Sequence, residues 1–195
     1  LDIIAKDLAK TLTLRESKNK EGVTETVKIK DILFASTGVI GEKYPIEKIS
    51  ESVQPLVDKL RETQNKLIWV KTASAIMTTD TKPKLAFEEI QVGSKSIRIA
   101  GIAKGSGMIA PNLATMLSFI FTDADIGSNV LKSVLKRAVS NTFNAITVDN
   151  DKSTNDMVAI FATRKVMIGQ NRNITDPIII KFEQALRKLC LNLAQ

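Results

Sequence analysis

Residues 101–123 read GIAKGSGMIAPNLATMLSFIFTD. The segment changes character half-way. Up to Pro111-Asn112 it is a glycine-rich loop in which Gly101, Gly105 and Gly107 surround one charged residue, Lys104. From Leu113 it becomes an apolar run, Leu113 to Phe121, that stops at Thr122-Asp123. An apolar run of this length bounded by turn residues predicts a buried strand. A close-approach loop therefore feeds a core strand, and a hydroxyl, Thr115, stands at the junction.

The rest of the composition limits the chemistry available to that junction. The chain has no histidine and one cysteine, Cys190. Cys190 lies among Leu189, Leu191 and Leu193, the setting of an inert core thiol on a helix packing face. A covalent nucleophile in this chain must then be a Ser or Thr working without imidazole. One solution is a threonine activated by its own free α-amine, a base with a reference pKa of about 7.7–8.0. That amine is released only if the preceding peptide bond is cut, and Ala114-Thr115 is a suitable bond. Thr115 Oγ would attack the Ala114 carbonyl, and water would hydrolyse the resulting ester. The glycines do not form a phosphate loop, because Lys104 precedes Gly105-Ser106 where a Walker loop ends Gly-Lys-Ser/Thr.

A length of 195 residues suits a single domain with a sizeable core. No apolar run approaches the roughly 20 residues of a membrane span. The N-terminus, LDIIAKDLAK, lacks the basic-then-apolar layout of a secretory signal. One cysteine excludes an internal disulfide and suits a reducing compartment, so a cytoplasmic location is expected. Zinc sites built on Cys and His are excluded, and no metal is expected. The formal net charge of +7 raises a nucleic-acid partner. The lysines are scattered, however, and aromatics make up only 5%, so a solvated basic surface is expected instead, with neither nucleic acid nor membrane as partner.

Along the chain, Ile4, Leu8 and Leu12 predict a helix over 1–12, and residues 16–23 a polar loop. Residues 24–35 predict a strand heading inward that ends at Ser36-Thr37-Gly38. Thr37 and Gly38 can offer a hydroxyl and a backbone N–H to one spot, the donors of an oxyanion hole; the same pair also serves as a plain turn. Pro45 opens a helix whose apolar face is Ile46, Ile49, Val53, Leu56 and Leu60, with Pro55 expected to kink or split it. A helical segment over 67–77 ends in the hydroxyl cluster Thr78, Thr79 and Thr81. Residues 85–92 and 96–103 predict a hairpin around Gly93-Ser94-Lys95, whose second strand delivers Lys104. Asp125 or Ser128 caps a helix that turns Val130, Leu131, Val134, Leu135 and Val139 inward. A short strand over 145–149 precedes the run from Asp149 to Asp156, which lacks the glycine and glutamate of a calcium loop and predicts a hydrogen-bonded turn near the active site. Met157–Thr163 predicts a strand. Asp176-Pro177 starts a last helix with Phe182, Leu186, Leu189 and Leu193 inward.

The run KGSGMIAPNLATML at 104–117, with TDA following, resembles the cleavage and nucleophile motif of the bifunctional glutamate N-acetyltransferase (ornithine acetyltransferase) family of arginine biosynthesis. Three more segments fit in the same order: STGVIGEKYPIEKI at 36–49, AIMTTDTKPK at 75–84 and VDNDKSTNDMVAIFAT at 148–163. The resemblance implies an α/β (α+β) fold of the four-layer αββα sandwich type. It implies self-cleavage between Ala114 and Thr115 into an alpha portion, 1–114, and a beta portion, 115–195. It implies acetyl transfer from N2-acetylornithine to glutamate through an acetyl-threonine on Thr115, with Thr37 and Gly38 holding the oxyanion. Lys104 and a threonine of the hydroxyl cluster, Thr78 or else Thr79 or Thr81, bind substrate along with Thr115. No cofactor is needed, although some members also take acetyl-CoA as donor. Members assemble as dimers of cleaved αβ units, that is, αβ heterotetramers. The resembled family is about twice as long, so the chain is expected to be a central portion of such an enzyme. The family's general-acid glutamate and its C-terminal substrate-binding Asn and Ser are expected beyond Gln195. The rival expectations are an aminopeptidase of the same N-terminal-nucleophile chemistry, a basic non-enzymatic binding module, and an inactive remnant of the fold.

Overall fold

The computed structural model describes residues 1–19, 26–39, 41–60, 65–105, 115–146, 155–169 and 172–195, with backbone alone at 16–19. The chain divides into two units, Leu1–Gln64 and Asn65–Gln195.

In the first unit, α1 (Asp2–Asn19) buries Ile4, Ala5 and Ala9. It extends through the first residues of the expected polar loop, because charged residues set which face of a helix meets water without ending it. The strand expected over 24–35 does not form among the described residues 26–35. Ile29–Asp31 is a short 3-10 turn, closed by the Lys28 N–H donating to Asp31 Oδ2 at 3.1 Å. Leu33 is 74% exposed. An apolar run becomes a strand only where a neighbour completes its ladder, and the described part of this unit holds no other strand. Pro45 sits at the N-cap of α2 (Ile46–Asp58), one position earlier than expected. Pro55 does not split that helix. Its buried residues are Val53 and Val57, whereas Leu56 and Leu60 face solvent, which corrects the predicted face.

The second unit begins with α3 (Lys66–Ala75), capped by Asn65 Oδ1 accepting from the Ile68 N–H at 3.0 Å. The expected hairpin follows as β1 (Lys84–Val92) and β2 (Lys95–Lys104). Val92 pairs with Lys95, so the loop is the two residues Gly93-Ser94, and Gly93 takes the φ of +61° that such a tight turn demands. Gly101 to Ala103 thus belong to the hairpin strand expected over 96–103, which runs on to Lys104, and the glycine-rich loop is correspondingly shorter than the run from Gly101. Next come β3 (Leu117–Ala124), α4 (Ser128–Ser140), β4 (Met157–Val166) and α5 (Pro177–Ala194). The cap of α4 is Gly127, not Asp125 or Ser128; Asp125 instead pairs with Arg164. Phe143–Ala145 form a 3-10 turn that takes in the first residue of the strand expected over 145–149, and residues 147–154 lie outside the described residues.

The four strands form one sheet in the order β1-β2-β3-β4. The first two pairings are antiparallel and β3-β4 is parallel, as a crossover through α4 requires. A bulge near the end of β4 offsets the last pairing and places Arg164 at φ 59°. One sheet face carries Ile90, Ile97, Ile99 and Ile120 against α5, whose Phe182, Leu186, Leu189, Cys190 and Leu193 are fully buried; Leu131, Val134 and Ala138 of α4 complete this core. Across the other face, Trp69 of α3 sets its ring 5.8 Å from both Phe87 and Phe121, and Phe121 stacks on Phe161 at 5.3 Å. Phe87 nevertheless stays 40% exposed and Phe121 36%. The described residues therefore give a mixed α/β arrangement with one sheet and helices on both of its faces.

Candidate active site

Lys104 is the last residue of β2 and pairs with Leu117, the first of β3. Leu117 in turn pairs with Met157, the first of β4. The starts of β3 and β4 and the end of β2 thus share one edge of the sheet. Thr115 stands two residues before β3 at that edge and is 7% exposed. Its neighbour Met116 is held on both sides of its peptide. The Met116 N–H donates to Asp156 Oδ1 at 2.9 Å, and its carbonyl accepts from the Met157 N–H at 2.9 Å. The residue after the nucleophile candidate is thus tied to the start of β4, and the strand begins at Leu117 rather than at Leu113. Ala114, on the other side of the expected cleavage point, lies outside the described residues, as does Gly107.

Burying a lysine is costly unless its ammonium finds polar company. Lys104 is 1% exposed, and its Nζ donates to Thr78 Oγ1 at 3.5 Å. Burial holds the Lys104 ammonium below the ordinary lysine range, and the nearby carboxylates of Asp80 and Asp156 oppose that shift. Of the three threonines in the cluster after α3, it is Thr78 whose hydroxyl meets the lysine. Gly105 follows with φ 118°, and a Cβ there would sit 3.1 Å from Met116 Cα. Only glycine fits both that backbone angle and that approach. Gly105 thus lets the chain leaving Lys104 press against the segment carrying Thr115.

Asp80 was not singled out by the sequence, although it lies inside the third motif. Its side chain is 1% exposed, it accepts from the Gly105 N–H at 2.8 Å, and it pairs with Lys84 at 3.7 Å. The available signal was an acid in a turn with a lysine four residues on, a common and ambiguous pattern. Asp156 belongs to the turn expected over 149–156, of which 149–154 lie outside the described residues; its Oδ1 accepts from the Met116 N–H.

Thr37 and Gly38 belong to the first unit. Thr37 is half-buried, Gly38 is exposed, and nothing lies within 4 Å of a Cβ built on Gly38. Cys190 is fully buried and burial pushes its thiol up to about 12, so it is no nucleophile near neutral pH. Among the described residues no three His, Cys, Asp or Glu side chains gather as a metal site would need. None of the described helices is long and apolar enough to cross a membrane.

The ArgJ family model matches residues 10–195. The chain belongs to the ArgJ family. Among curated relatives, the arginine biosynthesis bifunctional protein ArgJ of Bartonella henselae is 48% identical over 86% of this chain and 40% of its own length. The protein of the same name from Gluconobacter oxydans is 45% identical over 84% of this chain and 38% of its own. That of Bartonella quintana is 52% identical over 72% and 33% respectively. The chain spans about two fifths of the length of the first two relatives. The family predicted from the four motifs is therefore the family found.

Proposed function

We propose that this chain is the nucleophile-bearing portion of an acetyltransferase of arginine biosynthesis. The acetyl group passes from N2-acetylornithine to glutamate by way of Thr115, after the chain cuts itself between Ala114 and Thr115. The observation that carries this reading is the meeting, at one sheet edge, of a buried threonine, a buried lysine and the Thr78 hydroxyl in a chain that has no histidine.

In the first half-reaction Thr115 Oγ attacks the acetyl carbonyl and its own α-amine takes the hydroxyl proton. Ornithine leaves as the amine and an acetyl ester stays on Thr115. In the second, the amine of glutamate attacks that ester and the threonine hydroxyl is restored. Thr37 and Gly38 would hold the negative oxygen; removing one such donor typically costs about 10²–10³ in rate. Lys104 would hold the substrate carboxylate, which a fixed ammonium at the end of a strand does well. No metal or organic cofactor takes part, and acetyl-CoA is an alternative donor. The four-layer sandwich, the assembly of cleaved αβ units and a cytoplasmic location belong to the same proposal. The partly exposed aromatic face of the sheet, Phe87 and Phe121, supports a further layer there.

The test is to incubate the purified chain with N-acetylornithine bearing a labelled acetyl group. Label should settle on Thr115 in the absence of glutamate and move to glutamate when it is added. Label on another residue, or equal labelling of Thr115→Ala, would exclude Thr115 as the carrier.

A further inference from the structure

Asp80 touches both the turn that carries Thr78 and the residue that follows Lys104. Its Oδ1 accepts from the Gly105 N–H at 2.8 Å, and its Oδ2 from the Thr78 N–H at 3.4 Å. Lys84 reaches the same Oδ1 at 3.7 Å and donates to the Gly105 carbonyl at 2.5 Å. Asp80 and Lys84 thus grip both sides of the turn leaving Lys104. Both are sheltered, with side chains 1% and 15% exposed. A charge buried to that degree persists only with partners of this kind.

We propose that Asp80 is a positioning residue for substrate binding. Its carboxylate ties the Thr78 turn to the Lys104–Gly105 strand end, and Lys84 balances its charge so that a substrate carboxylate reaches Lys104 without meeting an uncompensated acid. Asp80 thus has one cation, Lys84, at 3.7 Å and a second, Lys104, within its electrostatic reach. Asp80 favours the ammonium of Lys104, and in the proposed arrangement Lys84 shares that carboxylate. Asp156 is the other carboxylate acting on Lys104, and it is committed to the Met116 N–H. The inference rests on reading Lys104 as the group that holds the substrate carboxylate.

The test is a titration of the full chain, labelled with ¹³C at lysine Cε, followed by NMR in the parent, Asp80→Asn and Lys84→Gln. In Asp80→Asn the Lys104 midpoint should fall, because a carboxylate that favours its charged form is lost. In Lys84→Gln it should rise, because Asp80 then acts on Lys104 alone. A general loosening of the turn would move both variants the same way, so opposite signs are the signature of the proposed arrangement. Shifts of the same sign, or no rise in Lys84→Gln, overturn it. If Asp80→Asn does not fold, the partly accessible Lys84→Gln decides by itself. The titration needs no turnover, so a failure of acetyl transfer is distinguishable from a failure of this positioning role.

Discussion

Lys104 is a cation that the fold has taken almost wholly out of water, and the two carboxylates near it offset only part of the cost. A charged group kept under such conditions is a functional commitment rather than a stabilising one. Lys104→Met should therefore stabilise the chain at neutral pH while removing affinity for a substrate carboxylate. The expected rise in thermal midpoint is about 2 °C or more, the shift that about 1 kcal/mol gives in a chain of this size. The pH dependence has a definite sign. Because the folded-state value is depressed, the cost in the parent is full below that value. It is relieved as pH rises from there towards the ordinary lysine value, where the unfolded chain binds more protons than the folded one. The lead of the methionine variant should accordingly shrink as pH climbs through that window. A variant less stable than the parent at neutral pH would mean that Lys104 is held by net attraction. At this scale the sequence was informative about identity but not about neighbours. Lys104 and Thr115 stood out through their motif, yet that the Thr78 hydroxyl, 26 positions away, lies against the lysine is a contact only the fold reveals.

The elements that proved legible are those whose pattern agrees with their surroundings. The β1-β2 hairpin has alternation and a turn glycine, and α5 has a cap, a first-position proline and an apolar face, so local and tertiary preferences coincide. The strand expected over 24–35 had the pattern alone; its described residues lack a neighbour to pair with, and Leu33 stays exposed. The cap of α4 was misjudged because Asp125 is drawn to Arg164, a partner 39 positions away that no local rule reveals. Gly101 carries a meaning that its place among loop glycines concealed. A Cβ there would lie 2.8 Å from Leu193 Cδ1 and 3.0 Å from Leu189 Cδ2, so the glycine lets α5 settle directly on β2. The leucine tips can flex for one methyl but not for a branched side chain. Gly101→Val should cost about 1–3 kcal/mol, read as a lower urea midpoint with unchanged slope. An unchanged midpoint would show that α5 tolerates displacement and that this contact does not fix the helix on the sheet.

At the scale of the whole chain, the sheet and its core lie in residues 65–195, and the candidate nucleophile, lysine and Thr78 all sit at one edge of that unit. The Thr37-Gly38 pair belongs to the other unit. Sequence motifs reached across this division because they are ordered along the chain and do not depend on packing, which is why the family was legible while the layer count was not. The described residues give one sheet, whose aromatic face is partly exposed at Phe87 and Phe121. The central proposition, that Thr115 is freed as an N-terminal nucleophile, is tested most directly by the intact mass of the purified chain beside that of Thr115→Ala. The parent should give two pieces, 1–114 and 115–195, and the variant a single uncut chain. One uncut mass in both would contradict self-cleavage at Ala114-Thr115 and, with it, the free amine on which the proposed acetyl transfer depends.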